Sequence, residues 1–381
     1  MRAVIRGNIQ RRNVYKMQGL RTAKAVEDAK NLLVVGENED CRIYLLTEYL
    51  AKINESGIPF VLLHSNPRFT TIFNNGALQL PVVCIDNKNA IYDPFYKKDE
   101  LSVGSVFKKL LRQDDDEVLL IVSLYSKLLK QMNIEISFNS LYEMNEMSVS
   151  KLTALAGKYE EIGLLRAKIS DQTLRMKMQG AMMELKRQCP FLSTDSKLKT
   201  NIALALSKNS CLCLNMTGMD QSSLEELIGF EINTLINNRT KFCLALDEVM
   251  IDNETLYTCF DHGFPLKAIA ARRMSSVLKS EEAMGKIIND FNRIIILKHN
   301  VTTDCEIFSK AIGTYQHIRE SVGTGTNKTP LQIFKSHHVE RTCTEEDRQR
   351  LKAEDITQLY EDGAFIYYSE SSKIIETKIM F

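Results

Sequence analysis

A chain of 381 residues that is 44% apolar and 25% charged can bury one large core or two ordinary ones, which excludes a disordered polymer. The formal net charge of +1 excludes any overall pull toward nucleic acid, so a basic surface has to be local. Nine cysteines, an odd number set mostly in apolar runs, read as reduced, buried thiols and not as a disulfide framework; Cys211 and Cys213, two apart on one strand face, have no C-x2-C pair and no nearby histidine to complete a metal site.

The first 24 residues carry Arg2, Arg6, Arg11, Arg12, Lys16, Arg21 and Lys24 and no acid. This basic arm, taken as 1–29, is either a solvated tail or a contact for DNA or anionic lipid, with Arg11, Arg12 and Lys16 as the nucleic-acid candidates. No apolar run of 18 residues and no signal-peptide-like stretch occurs, so a soluble, cytoplasmic protein is expected. Residues 32–50, LLVVGENEDCRIYLLTEYL, then read as an apolar strand, a polar turn and an amphipathic helix, where a phosphate-binding loop would sit. A working loop, G-x-x-x-x-G-K-[ST], cradles phosphates with backbone N–H groups and a lysine, and holds Mg²⁺ with its hydroxyl. Here Gly36 opens the frame, but Cys41, Arg42 and Ile43 stand for the second glycine, the lysine and the hydroxyl residue. Glu37, Glu39 and Asp40 put carboxylates where phosphate charge would lie.

Farther along, FVLLH (60–64), PVVCID (81–86) and AIYDPF (90–95) are short apolar runs bounded by turn residues. A long helical stretch follows from about 103 to 131 and, after a break at 134–139, from 151 to 188. Between 140 and 199 it carries ten Lys/Arg against seven Asp/Glu, and its methionines Met176, Met178, Met182 and Met183 suit core or an oligomer contact. Strand signals return at 211–216, 242–247, 266–271, 293–299 and 364–369, with helices between them, and 321–330, SVGTGTNKTP, reads as an exposed connection or hairpin. The alternation predicts an α/β fold with a mostly parallel sheet flanked by helices and an all-α insertion. FCLALDEVMID ends an apolar strand on Asp247 and Glu248, the pattern in which the aspartate positions Mg²⁺ and the glutamate polarises the attacking water. His262 and the pair His337 and His338 fall in apparent loops and are expected at the surface.

These residues, taken together, resemble the TraG/TraD-type coupling proteins of conjugative type IV secretion. FVLLHSNPRF is similar to the strand before that family's Asp-Pro-[Lys/Asn]-Gly turn, AIYDPFYKK to its Asn-Pro-Phe/Tyr segment and FCLALDEVM to its Walker B strand. RIIILKHNVTTDCEIFSKAIGTY and the closing stretch from 345 to 381 resemble its later blocks, so that the likeness spans about 30–381. The resemblance implies a RecA-like P-loop NTPase-type body over 30–102 and 200–381 and an all-α domain over 103–199. It also implies ring assembly, partners in the secretion or conjugation machinery, and DNA or protein cargo, with the inner face of the membrane as a peripheral location. The departures coincide: the degenerate Walker A at Gly36, Cys41, Arg42 and Ile43, the turn read as Ser65-Asn66-Pro67-Arg68, and Arg272 or Arg273 where the family places a glutamine that senses phosphate. Asp247 and Glu248 remain as the catalytic-type pair. The expectation is a pseudo-ATPase subunit working by binding or assembly, with ATP and Mg²⁺ doubtful as cofactors; a slow ATP-driven DNA translocase and a purely structural oligomer are the alternatives.

Overall fold

The computed structural model describes residues 14–76, 78–111, 116–169, 171–189, 191–193, 198–217, 221–250, 255, 258–259, 265–277, 284, 287–327 and 336–381. An eleven-stranded sheet organises them. Its strands are β1 (Val14–Lys16), β2 (Leu20–Arg21), β3 (Leu32–Val35), β4 (Phe60–His64), β5 (Val82–Ile85), β6 (Cys211–Asn215), β7 (Cys243–Asp247), β8 (Leu266–Ala271), β9 (Arg293–Leu297), β12 (Gly363–Tyr368) and β13 (Lys373–Met380). The spatial order is β1-β13-β12-β9-β3-β8-β7-β4-β6-β5, with β2 paired to the end of β13. From β9 to β5 every pairing is parallel, and β12 reverses direction against both β9 and β13.

Strands buried on both faces have to be apolar throughout, and β3, β4 and β7 are fully buried for that reason. Leu32 and Val34 share a core with Leu45, Leu46 and Tyr49 of helix α2 (Glu39–Glu55) on one face. Leu33 and Val35 face a larger core on the other side, with Phe107 of α4 (Glu100–Leu111) and Ile228 of α11 (Gln221–Asn237). That second core continues into the helices predicted as an insertion. They form shorter pieces than the periodicity suggests: α5 (Asp116–Gln131), α6 (Phe138–Glu146), α7 (Val149–Ala156), α8 (Gly163–Lys168) and α9 (Gln172–Gln188). Side-chain caps at Ser137, Ser148 and Asp171 start α6, α7 and α9, which is why the one long helix is broken. Among the described residues no helix is long and apolar enough to cross a membrane.

The segment AIYDPF is not a ladder strand. Tyr92 makes isolated bridges with Leu192 and Thr200, tying the start of the helical region to its end. Asp93, fully buried, accepts hydrogen bonds from the N–H of Phe138 at 3.0 Å and of Phe95 at 3.0 Å, so it holds the first turn of α6. Burial pushes its carboxyl up to about 6, against the pull of those N–H groups. Asp93→Ala should therefore strip α6 of its anchor and cost about 2 kcal/mol, read as a lower urea midpoint.

Two stretches at the edges are ordered by strand pairing, the second in keeping with the hairpin reading. Within the basic arm Val14–Lys16 is a strand, with Val14, Tyr15 and Lys16 opposite Ile374, Ile375 and Glu376, and the Lys16 ammonium lies 3.1 Å from the Glu376 carboxylate. Lys16 is thereby engaged within the chain; Arg11 and Arg12 lie outside the described residues. The Gly/Thr-rich stretch is strand as far as Asn327, because β10 (Thr314–Asn327) and β11 (Ser336–Gln349) pair antiparallel over their whole length as a separate two-stranded sheet. Pairing across the ribbon overrides the weak strand propensity of its glycines. The eight described free cysteines are all buried.

Candidate functional site

Strands β3, β8 and β7 are neighbours, so the residues that follow them meet at their carboxyl ends, where open α/β sheets bind ligands. Gly36 follows β3 and donates its N–H to Ala271 O at 3.1 Å, while Glu248 follows β7 and donates to Ala270 O at 3.1 Å. Gly36, Asp247 and Arg272 thus sit on adjoining parallel strands.

The loop from β3 to α2 is only Gly36, Glu37 and Asn38, since the helix begins at Glu39. The N–H groups of Gly36 and Glu37 are spent within the protein. Glu37 N–H donates to Lys298 O at 3.0 Å, and Asn38 caps the helix by accepting from the N–H of Cys41 at 3.0 Å. The three carboxylates also have partners: Glu37 accepts from Asn300 at 2.8 Å, Glu39 from Asn66 at 2.5 Å, and Asp40 pairs with Arg68 at 2.5 Å. Gly36 has φ +140°, and a Cβ there would come within 2.6 Å of the Leu297 Cβ and 2.9 Å of its carbonyl carbon. Gly36→Ala should accordingly cost about 2–4 kcal/mol in a denaturant titration, from strain and collision together.

Arg42 closes the site. Its side chain is 6% exposed and turns back from the first turn of α2, donating to the Gly36 carbonyl and lying 3.2 Å from the Glu248 carboxylate. Glu248 itself adopts left-handed backbone geometry, φ +53°, which aims its carboxylate across the strand ends. There it also accepts from the Arg272 backbone N–H and from Ser276 Oγ at 2.9 Å. One carboxylate therefore joins α2, the end of β8 and the turn Met274–Ser276. That turn is pinned again by Asp304, which accepts from the Met274 N–H at 2.9 Å and pairs with the buried His299 Nε2 at 3.0 Å.

Asp247 is 3% exposed, and burial pushes its carboxyl up to about 7, with Arg42 opposing the rise and Glu248 adding to it. Its register partner on β4 is His64, whose ring is fully buried against Phe69 with neither nitrogen in a well-formed hydrogen bond. Burial holds that imidazole down to about 4, hence neutral at physiological pH.

The residues present do not fit a Mg²⁺-nucleotide. Cys41 and Ile43 are core residues of α2, at 0% and 1% exposure, and not loop ligands. Arg272 contributes its backbone N–H while its side chain is exposed. A cavity of about 310 Å³ at the carboxyl ends of β3 and β9 is lined by Glu37, Asn38, Lys298, Asn300 and Glu361, two carboxylates to one ammonium, which opposes polyphosphate there. Among the described residues no group of three or more His, Cys, Asp or Glu could hold a metal ion. Ser276, Asp304 and His299 were not singled out from the sequence; their only signal was their place just after strands β8 and β9. His262 lies outside the described residues, as do the side chains of His337 and His338.

No family model matches the chain, and no curated protein sequence does. Solved structures do. The bacterial conjugative coupling protein TrwBdeltaN70, in an unbound monoclinic form, superposes with a TM-score of 0.59 at 13% identity, covering 92% of this chain and 84% of that one. The plasmid coupling protein TrwB in complex with ADP and Mg²⁺ gives 0.55 at 13% identity, covering 95% and 89%. VirB4 of Thermoanaerobacter pseudethanolicus gives 0.51 at 9% identity, covering 92% and 89%. The chain therefore has the RecA-like P-loop NTPase-type fold of the TraG/TraD-type coupling ATPases.

Proposed function

We propose that this chain is a component of a conjugative or type IV secretion apparatus that works by binding and assembly, as a pseudo-ATPase subunit. In this reading 30–102 with 200–381 is the body, 103–199 the all-α insertion, and the cargo DNA or protein. The observation that carries it is the Arg42 bridge: the residue standing where the phosphate-binding lysine belongs is bonded to the Gly36 carbonyl and the Glu248 carboxylate. A guanidinium so held is not available to a γ-phosphate, and a glutamate with three donors on it is a poor partner for an attacking water. Coupling proteins of this fold have been solved with ADP and Mg²⁺ or with triphosphate analogues, and the three-residue loop of this chain sets it apart from the motif that grips phosphate.

Phosphate release from ATP by the purified full chain with Mg²⁺ tests this reading, and turnover at background is expected. A rate on the order of 1 s⁻¹, ordinary for an enzyme, would instead establish an ATP-driven translocase. Binding of duplex DNA should fall steeply as salt rises if DNA is the cargo. Charge reversal at Arg11 and Arg12 should weaken that binding if the arm makes the contact; an unchanged affinity would move the contact to the insertion.

A further inference from the structure

Cys84 of β5 and Cys213 of β6 are register partners on adjoining parallel strands, and both side chains enter the core that contains Leu45 and Tyr49 of α2. Neighbouring strands stand about 4.8 Å apart, within the Cα separation of about 4.4–6.8 Å that a disulfide bridges. The two thiols are hydrogen-bonded to each other. In the same core, the Cys211 sulfur accepts from Phe60 N–H at 3.4 Å and from Asn54 Nδ2 at 3.3 Å, and Cys243 on β7 is separated from β6 by β4. Cys84 and Cys213 are thus paired by the sheet itself.

The two sulfurs are unequal. Contact with the Cys213 thiol holds Cys84 below the usual thiol range, whereas burial, and then Cys84 itself, pushes Cys213 well above it. The thiolate is the nucleophilic form, so Cys84 is the attacking sulfur and Cys213 the resolving one. Their places in the sheet divide them the same way. Strand β5 ends the strand order, with one side unpaired among the described residues and Val82 and Val83 half-buried, while Cys213 lies on β6 between β5 and β4. Local opening is easiest at such an edge, so a small oxidant meets Cys84 first.

We propose that Cys84 and Cys213 form a reversible thiol–disulfide pair, oxidised by hydrogen peroxide, that staples the strand leading into the helical region to the strand leaving it. The Cys84 thiolate attacks one peroxide oxygen, the O–O bond breaks, and the departing hydroxide takes up the thiol's proton, leaving a sulfenic acid and one water. The Cys213 sulfur then attacks the sulfenic sulfur, the S–O bond breaks, and hydroxide leaves with the Cys213 proton as a second water. A dithiol reverses the change by exchange. Cys84 precedes Tyr92 and Cys213 follows Thr200, the residues whose bridge already joins the start of the helical region to its end. The new bond would make that junction covalent.

Peroxide titration of the folded full chain, followed by alkylation of the remaining thiols, non-reducing digestion and mass spectrometry, tests this. The expected product is a cross-linked peptide pair joining Cys84 to Cys213, lost on treatment with dithiothreitol, while Cys211 and Cys243 are still alkylated once the chain is unfolded. Cys213→Ala should stop at a sulfenic acid on Cys84 that dimedone traps, and Cys84→Ala should leave Cys213 reduced at the same dose. The wild-type cross-link is read without any variant, so the test stands even where a core substitution impairs folding. The oxidised chain should also unfold at higher urea than the reduced one, because the bond closes a long loop in the unfolded state. Cys84 and Cys213 both remaining alkylatable at peroxide doses that leave the protein folded would overturn the proposal. So would a cross-link from either of them to a different cysteine, or a urea midpoint that does not rise on oxidation.

Discussion

Replacing Arg42 with alanine is expected to lower the unfolding free energy by about 3–5 kcal/mol, the usual cost of removing one partner from a buried ion pair. The guanidinium is 6% exposed and the Glu248 side chain 23%, so water does little to replace the lost contact. Alanine also leaves the Gly36 carbonyl without its side-chain donor and opens a cavity at the head of α2. Lysine should not restore stability, because a point charge cannot reach a carbonyl and a carboxylate with the geometry of a planar fork. The double variant Arg42→Ala with Glu248→Gln should be less damaged than the sum of its parts by about 1–3 kcal/mol, a coupling that chemical denaturation of the four proteins measures. Additive losses would mean that the two side chains do not interact.

Asp247→Asn should act in the opposite direction and stabilise the protein at alkaline pH. The folded carboxyl titrates at about 7 against 3.8 for the ordinary value, so the native state holds its proton more tightly than the unfolded chain does. The sign follows from that inequality: the favourable contribution is complete below pH 3.8, declines as pH rises through the window, and is lost once pH passes 7. Above that, wild type bears a penalty of about 2–4 kcal/mol that an uncharged amide avoids. Melting of the two proteins should therefore coincide near pH 4 and separate with increasing pH, the variant higher at pH 8. A constant offset across the range would mean that the carboxyl titrates normally.

The main sheet was legible because its strands are the chain's continuous apolar runs: 60–64 and 266–271 are strands to the residue, and 242–247 begins one residue late. Parallel order alone puts Gly36, Asp247 and Arg272 on the carboxyl edge of the sheet, whereas their adjacency comes from the strand order β3-β8-β7. What was not legible needed three-dimensional partners. Frame counting set Cys41 and Ile43 against the second glycine and the hydroxyl residue of a phosphate-binding motif, and it could not show that the Asn38 cap starts the helix early enough to send both into the core. Nothing in the order of residues indicates that Arg42 folds back, since its acceptors lie six residues before it and on another strand. Asp93 was read as part of an apolar run, and its role comes from Phe138, 45 residues away. Val14–Lys16 is a strand only because β13 lies beside it.

Titration calorimetry of the wild-type chain with ATP and Mg²⁺ tests the closed nucleotide site most directly. With Arg42 bound to Gly36 and Glu248, and the Gly36 and Glu37 N–H groups spent internally, no saturable heat should appear even at millimolar nucleotide, where the binding free energy would be only about −4 kcal/mol. Saturable, Mg²⁺-dependent binding at micromolar nucleotide, about −8 kcal/mol, would contradict it.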